Sequence, residues 1–215
     1  NRGDGTYSEI AQLAGLAATE WSWTPACIDV DLDGYEDVLI ANGQERAARS
    51  LDVSERLRIL RSGRQLTADQ IFDNRRPFPR QNSPNLAFRN RGDLTFEDAS
   101  REWGFDFDGV SHGLVLADLD NDGDLDVLVN NLNGPACVYR NEAVAPRLAL
   151  RLKGSAPTTH GIGARITVRV PGWPVQSQEV QCGGRYLSSD EPVRAFAAGS
   201  AAHPLDVTVD WPNGR

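Results

Sequence analysis

Short runs of apolar and β-branched residues, each bounded by turn residues, recur along the first 143 residues. Runs of this length and composition are typical of strands. "LAFRN" and "LTFED" also face each other across Arg91-Gly92-Asp93, which predicts a hairpin turn. The clearest runs are "TPACID" (24–29), "DVLIAN" (37–42), "GLVLAD" (113–118), "DVLVNN" (126–131) and "ACVYRN", which ends at Asn141.

After residue 143 the pattern changes to alternation of apolar and polar residues. Period-two alternation gives a strand one buried and one solvated face. The segments that carry it are "RLALRL", "ARITVRV", "VQSQEVQC" and "LDVTVDW". We therefore expect two domains: strand-built blades over residues 1–143 and a small antiparallel β domain over 144–215.

An insert of different character occupies about residues 44–85. "SLDVSERLRILRSG" has a serine start, a glycine stop and apolar residues at helical spacing, and "TADQIF" follows it. This pattern predicts short helices, before Pro77, Pro79 and Pro84 force irregular structure. The insert is rich in arginine, which we interpret as an exposed solvated face rather than a binding patch; the arginines are Arg46, Arg49, Arg56, Arg58, Arg61, Arg64, Arg75, Arg76 and Arg80.

The first part of the chain is an internal repeat. Residues 1–42 align with residues 90–131 without a gap, and 15 of the 42 positions are identical. Tandem units of short strands favour blades of a β-propeller. On this interpretation "NRGDGTYSE" is the second half of a hairpin, and two blades do not close a ring, so upstream residues are expected to complete it. The predicted fold class is all-β: an incomplete propeller with a helical insert, then the small antiparallel domain.

Two nine-residue stretches concentrate the negative charge: the first acidic loop, "DVDLDGYED" (29–37), and the second acidic loop, "DLDNDGDLD" (118–126). Carboxylates at loop positions 1, 3, 5 and 9, a glycine at position 6 and a backbone carbonyl at position 7 form an all-oxygen ligand set, which favours Ca²⁺. Two calcium sites are therefore predicted. Their ligands are Asp29, Asp31, Asp33, Tyr35 and Asp37, and Asp118, Asp120, Asp122, Asp124 and Asp126.

Two other interpretations of these loops are less favourable. An EF-hand needs a glutamate at position 12 and a following helix, whereas position 12 is Ile40 or Val129 and strand-like residues follow. Acidic turns without a cation would bring four carboxylates together, and each pair would repel by about 1 kcal/mol or more near a surface. Turns are built without that cost from asparagine, serine and glycine.

Charge and composition exclude some classes of partner. The net charge is −8 and the computed pI is 4.9, so the basic footprint of a nucleic-acid-binding protein is missing. No apolar run approaches the roughly 20 residues of a membrane span. Cys27, Cys137 and Cys182 have no zinc-like spacing, and both a disulfide and three free thiols fit the sequence.

The acidic loop flanked by strands resembles the FG-GAP/VCBS repeat of integrin-type propellers and many bacterial surface proteins. "NRGDLTFEDAS" with "DLDNDGDLDVLVNNLNGPACVYRNE" resembles the repeats of the cartilage acidic protein group, and "HGIGARITVRV", "VQCGGRYLSSDEPV" and "LDVTVDWPNGR" resemble the ASPIC/UnbV domain that follows them. The resemblance covers nearly the whole chain except the insert. It implies the same calcium ligands as the spacing does.

Three functions fit these observations. The first is a non-catalytic, calcium-binding module of an exported protein that binds a protein or glycan ligand. The second is part of a secreted hydrolase that acts on a polymer, with an active site outside this segment, because no nucleophile, base and oxyanion donor occur together here. The third is a subunit of a large surface assembly that docks through the insert or the C-terminal domain. We favour the first, because extracellular calcium is millimolar and matches the affinity of such loops.

Overall fold

The structure is a computed structural model that describes residues 3–47, 49–63, 65–74, 76–157, 159–200, 204–212 and 214. Within these residues the helices are α1 (Ala11–Ala14), α2 (Leu51–Arg61) and α3 (Ala68–Asp73). The strands of the first part are β1 (Ser22–Ile28), β2 (Asp37–Asn42), β3 (Ser83–Pro84), β4 (Leu86–Asn90), β5 (Phe96–Asp98), β6 (Asp108–Gly109), β7 (Ser111–Ala117), β8 (Asp126–Asn131) and β9 (Cys137–Tyr139). Those of the second part are β10 (Arg147–Arg151), β11 (Arg165–Arg169), β12 (Gln176–Glu179), β13 (Gly184–Arg185), β14 (Ser188–Ser189), β15 (Val193–Ala197) and β16 (Asp206–Asp210).

Two antiparallel sheets carry the repeated units. The first has the order β1-β2-β4-β5 and the second the order β7-β8-β9. Their registers match: a shift occurs between Ser22 and Thr24 in β1, and another between the equivalent Ser111 and Gly113 in β7. The all-β fold class is confirmed, and the described sheets form no closed barrel.

One shared core lies between these sheets. Ala26, Leu39 and Ala87 from the first sheet pack in one cluster with Leu114 and Val129 from the second. Each sheet therefore buries its apolar face against the other, as period-two patterning requires.

The helical insert interrupts the first sheet between β2 and β4. Both predicted helices form, and α3 begins with a capping box in which Thr67 and Gln70 satisfy each other's backbone N–H groups. Of the insert's arginines, Arg64 and Arg75 lie outside the described residues. Arg46 donates to the Phe78 carbonyl at 3.2 Å and Arg58 pairs with Glu55.

The amino-terminal segment departs from the hairpin expected there. Residues 6–10 form no strand, and α1 follows them. The equivalent segment of the second unit, β5, pairs instead with β4 of the first sheet. A strand needs a partner strand for its backbone groups, and β5 has one in β4.

The C-terminal part is an antiparallel β module of two small sheets, β10-β15 and β12-β11-β16. Their inner faces enclose Phe196, Ile166, Val168 and Val180, all with at most 1% exposure. Strand β15 is buried along its whole length. Val193 and Ala195 belong to the core of the repeat sheets, whereas Phe196 belongs to the core of the C-terminal module. The two parts are thus joined through one strand.

The β13–β14 hairpin strengthens this junction. The Arg185 guanidinium donates to the Pro25 carbonyl at 3.1 Å, and the Ser188 hydroxyl donates to the Leu114 carbonyl at 2.7 Å. Tyr186 packs on Trp23, with ring centroids 4.9 Å apart. Among the described residues no helix has the length and apolarity that crossing a bilayer requires.

Candidate metal centres

Both acidic loops connect the first two strands of a repeat sheet, and their internal hydrogen bonds are the same. In the first loop the Asp29 carboxylate accepts the backbone N–H groups of Asp33 and Gly34 at 3.0 and 2.8 Å. In the second loop the Asp118 carboxylate accepts those of Asp122 and Gly123 at 3.1 and 3.2 Å. The carboxylate at position 1 therefore curls each loop around itself.

The carboxylate at position 9 closes each loop in an equally repeated way. Asp37 accepts the N–H of Val30 at 2.9 Å and that of Asn90 at 2.8 Å. Asp126 accepts the equivalent N–H of Leu119 at 2.9 Å and that of Asn141 at 2.8 Å. Asn90 ends β4 and Asn141 follows β9, so each of these aspartates ties its loop to the end of the third strand of its sheet.

The tight curl also requires unusual backbone conformations. Gly34 and Gly123, at position 6, have φ of 91° and 93°, a region that glycine enters without strain. Position 4 is left-handed as well: Leu32 has φ of 57° and Asn121 has φ of 61°. The repeated geometry thus extends to the backbone of both loops.

In the first loop the structure brings Asp29, Asp31 and Asp37 together, with one oxygen from each within 4.8 Å of the others. Arg89 donates to Oδ2 of Asp31 at 3.1 Å, while Oδ1 of Asp31 is buried without a hydrogen-bond partner. A buried acceptor without a donor costs stability. This oxygen is therefore a ready ligand for a cation.

In the second loop the three oxygens that come within 4.8 Å of one another belong to Asp118, Asp120 and Asp122. Arg140 contacts Oδ2 of Asp120 at 3.0 Å, as the equivalent Arg89 contacts Asp31 in the first loop. The position-3 carboxylate is oriented by an arginine in both loops.

The remaining predicted ligands lie outside these two triads. Asp33 is exposed and accepts the N–H of Tyr35 at 2.9 Å. The Tyr35 side chain is exposed on the loop. Asp126 is buried and has the closing role described above.

Asp124, which was predicted to contribute only its carbonyl, is buried at 1% exposure and has a further role. Its Oδ2 accepts a hydrogen bond of 2.5 Å from Arg147, and its Oδ1 is buried without a partner. The Arg147 guanidinium also contacts Asp122 Oδ2 at 3.2 Å. Arg147 belongs to β10, so the C-terminal module supplies a cation to the second acidic loop.

Burial dominates the electrostatics of these carboxylates. It raises the pKa of Asp29 and of Asp37 to about 7, against an ordinary value of 3.8, and their acidic neighbours raise it further, whereas backbone N–H donors oppose the shift. Burial likewise raises the pKa of Asp124 to about 7, although Arg147 opposes it. In Asp122 the N–H of Asp124 lowers the pKa. A divalent cation would favour the ionised form of each buried group.

The donor set fits calcium. The triads offer anionic oxygens alone, and each loop holds a buried carboxylate oxygen that no protein donor satisfies. Calcium takes six to eight oxygen ligands in flexible geometry. When bound, the ion would neutralise the carboxylates of each loop, while the chain's own hydrogen bonds hold the loop backbone in place.

Some residues at the site were not predicted from the sequence. Arg89 and Arg140 each precede an asparagine whose backbone N–H donates the closing hydrogen bond, so the repeated "RN" at 89–90 and 140–141 is a signal that could have identified them. Trp173 packs so closely on the first loop that a Cβ on Gly34 would lie 2.9 Å from its ring. No local pattern marks Trp173 or Arg147, because both lie in the C-terminal module.

The three cysteines are free thiols in the structure. Ser111 and His112, the pair that could suggest nucleophilic chemistry, have other contacts. The Ser111 hydroxyl bonds the Asn131 side chain at 2.7 Å, and His112 packs on Trp23 with ring centroids 4.5 Å apart.

Comparison with known protein families agrees with this geometry. Residues 78–129 match the FG-GAP-like repeat, a segment that includes the second acidic loop, and residues 154–215 match the ASPIC and UnbV family. The chain therefore carries an FG-GAP-like repeat followed by an ASPIC and UnbV segment, which confirms the resemblance seen in the sequence.

Individual relatives point to the same group. Cartilage acidic protein 1 of Homo sapiens is 46% identical over 61 residues, or 27% of this chain. The proteins of the same name from Xenopus tropicalis and Mus musculus are 44% and 41% identical over 26% and 27% of this chain. In each case the match spans 9% of the relative's own length.

Proposed function

We propose that this chain is a calcium-binding, non-catalytic part of an exported protein, in which two metal loops stabilise a surface used for binding or adhesion. The observation that carries the proposal is the repeated loop: two nine-residue segments share their internal hydrogen bonds, and each holds a buried carboxylate oxygen without a donor. A solvated acidic turn has no need of either feature.

The location follows from calcium chemistry. Loops of this type in extracellular modules bind calcium with dissociation constants of about 10⁻⁴–10⁻³ M. In extracellular fluid calcium would occupy such loops. In the cytosol the loops would stay empty, and their carboxylates would repel one another. The similarity to cartilage acidic protein 1, whose name refers to cartilage, supports an exported location.

A thermal melt tests the proposal. Calcium that binds only the folded chain stabilises it by mass action, by about 2.7 kcal/mol at a hundredfold excess over the dissociation constant. We expect millimolar CaCl₂ to raise the melting temperature, EGTA to reverse the rise, and MgCl₂ to have a smaller effect. An identical melt in CaCl₂ and in EGTA would contradict the proposal.

A second candidate function, a subunit of a larger assembly, is favoured by a separate observation. The insert exposes large apolar side chains on both helices: Leu51, Ile59, Ile71 and Phe72 are 52–82% exposed. Replacing Ile59 and Phe72 by serine should abolish co-sedimentation with any partner that docks there. Serine at the exposed Val144 is the matched control.

A further inference from the structure

A cleft between the two repeat sheets has the form of a ligand site. It encloses about 400 Å³, within the range of small-molecule pockets. One wall is Ile28 and Leu39 of the first sheet, and the other is Val127 and Tyr139 of the second. Native interiors are densely packed and contain few voids, so an apolar cleft of this size needs an explanation. We call it the inter-sheet cleft.

Its aromatic lining gives the cleft a defined shape. Trp103 and Phe105 form part of the lining, and the Phe105 ring packs on Tyr139 with centroids 4.9 Å apart. The outer face of Trp103 is covered by the Arg89 guanidinium, 4.9 Å from the ring centroid. A hydrogen bond of 2.9 Å from the Asn141 side chain to the Val30 carbonyl bridges the two sheets at the edge of the cleft. The walls are therefore fixed relative to each other.

The mouth of the cleft is polar and carries an excess of negative charge. The lining holds the carboxylates of Asp31, Glu102 and Glu142 and the guanidinium of Arg140. Arg89, outside the lining, pairs with Asp31 at 3.1 Å. Arg140 is held by Asp120 at 3.0 Å and reaches Glu142 only at 4.0 Å. Glu102 is paired with Arg89 at 2.6 Å. Glu142, with a side chain 77% exposed, is thus the carboxylate most available to a ligand.

Apolar walls and an acidic mouth define the chemistry of a matching ligand. We propose that the inter-sheet cleft binds a small aromatic amine, with the ring between the sheets and the ammonium group at Glu142. The same chemistry occurs in a free amine and in a peptide that presents a tryptophan beside a lysine. The proposal gives a ligand class to the binding role inferred above. Asp31 of the lining is also a proposed calcium ligand, but Glu142, which holds the ammonium group, is not.

Binding of three indole probes tests this assignment, with saturation-transfer NMR as the readout. Tryptamine, tryptophol and indole-3-propionate share a ring and differ in charge, from positive through neutral to negative. We expect tryptamine to bind best and the propionate worst, because Glu142 is exposed and only weakly paired, whereas Arg89 and Arg140 are held by other carboxylates. Equal binding of the three probes, or the reverse order, would overturn the proposal.

Variants locate the binding. Ala143→Trp places an indole at the cleft from its lining and should abolish the tryptamine signal, whereas Val144→Trp, at a neighbouring residue that is 98% exposed, should leave it unchanged. Glu142→Gln should weaken tryptamine about threefold, as expected for loss of one exposed ion pair, and leave tryptophol unaffected. Glu55→Gln on α2 is the matched charge control. Undiminished binding to both Ala143→Trp and Glu142→Gln would refute the site.

A capped Trp-Lys dipeptide distinguishes the two sources of the ligand. Tighter binding of the dipeptide than of tryptamine would assign the cleft to a peptide segment, and weaker binding would assign it to a free amine. The titrations are run both in CaCl₂ and in EGTA. Because calcium binding is measured separately by the thermal melt, a failure of the amine site and a failure of the calcium sites give different results.

Discussion

At the scale of single residues, the aspartates of an acidic loop differ in their roles. Asp29 and Asp37 organise the loop backbone with both oxygens, whereas Asp31 leaves one buried oxygen without a donor. Asp29 and Asp37 are needed for the fold of the loop, and the second oxygen of Asp31 is available to bind an ion. Their substitution should therefore have different consequences.

Asp31→Asn separates metal binding from folding. The amide oxygen keeps an acceptor for Arg89, so the free energy of unfolding in EGTA should change by less than about 1 kcal/mol. The stabilisation gained from CaCl₂ should fall, because a charged ligand is lost. Denaturant titrations in CaCl₂ and in EGTA measure both quantities. Asp108→Asn, at an exposed aspartate of β6, is the control, and equal calcium gains in the two variants would contradict the assignment.

The raised pKa values of Asp29 and Asp37 predict a pH dependence. Both carboxyls ionise near pH 4 when unfolded but only near pH 7 when folded without metal. Between these values the folded chain binds more protons, so the stability of the calcium-free protein should fall as pH rises from 4 to 7. Calcium needs the ionised groups, and its stabilising effect should grow over the same range.

Melting temperatures in EGTA and in CaCl₂, measured from pH 5 to pH 8, test this dependence. Asp37→Asn removes one of the three carboxyls whose pKa is raised to about 7, the others being Asp29 and Asp124, and should flatten the pH profile in EGTA. A wild-type profile in EGTA that is level between pH 5 and pH 8 would show that the buried carboxyls do not titrate in this way.

At the scale of elements, the strands next to the acidic loops were predictable and others were not. "DVLIAN" and "DVLVNN" match β2 and β8 residue for residue, because a charged loop and a turn sharply bound each apolar run. Strand β15 was missed, since it is buried on both faces and carries no alternation. The boundary of the sequence repeat also differs from the boundary of the sheet by one strand. Strand β5 belongs to the second repeat in sequence but is the last strand of the first sheet.

Directly after β2, the backbone at Gly43 lies too close to the backbone at Gly109 and Val110 to leave room for a side chain. Gly43 has φ of 122°, and a Cβ there would collide with the Gly109 carbonyl and lie 2.8 Å from Val110 Cα. Gly43→Ala should lower the free energy of unfolding by about 2–3 kcal/mol more than Gly104→Ala. Gly104 shares the left-handed conformation, with φ of 67°, but faces open space. Equal losses in the two variants would mean that only backbone strain matters.

At the scale of the whole molecule, the C-terminal module contributes residues to both acidic loops. Trp173 packs on the first acidic loop and Arg147 enters the second. This contact joins segments that lie far apart in the sequence, which is why spacing alone predicted the loops but not their covering groups. The C-terminal module has a core of its own, and β15 and these two covering groups connect it to the repeat sheets.

Arg147→Ala tests this coupling. It leaves the buried carboxylate of Asp124 without its cation, and breaking a buried pair costs about 3 kcal/mol or more. We expect a large loss of stability in EGTA, with partial recovery in CaCl₂ and in the double variant with Asp124→Asn. Arg169→Ala, at an exposed position of β11, is the control. No recovery under either condition would argue against an electrostatic role for Arg147.

Native mass spectrometry in millimolar calcium acetate tests the central claim most directly, because it counts ions on the folded chain. We expect two calcium ions on each wild-type chain, one on Asp31→Asn and one on Asp120→Asn. A wild-type chain that carries no calcium at these concentrations, or variants that keep both ions, would contradict it.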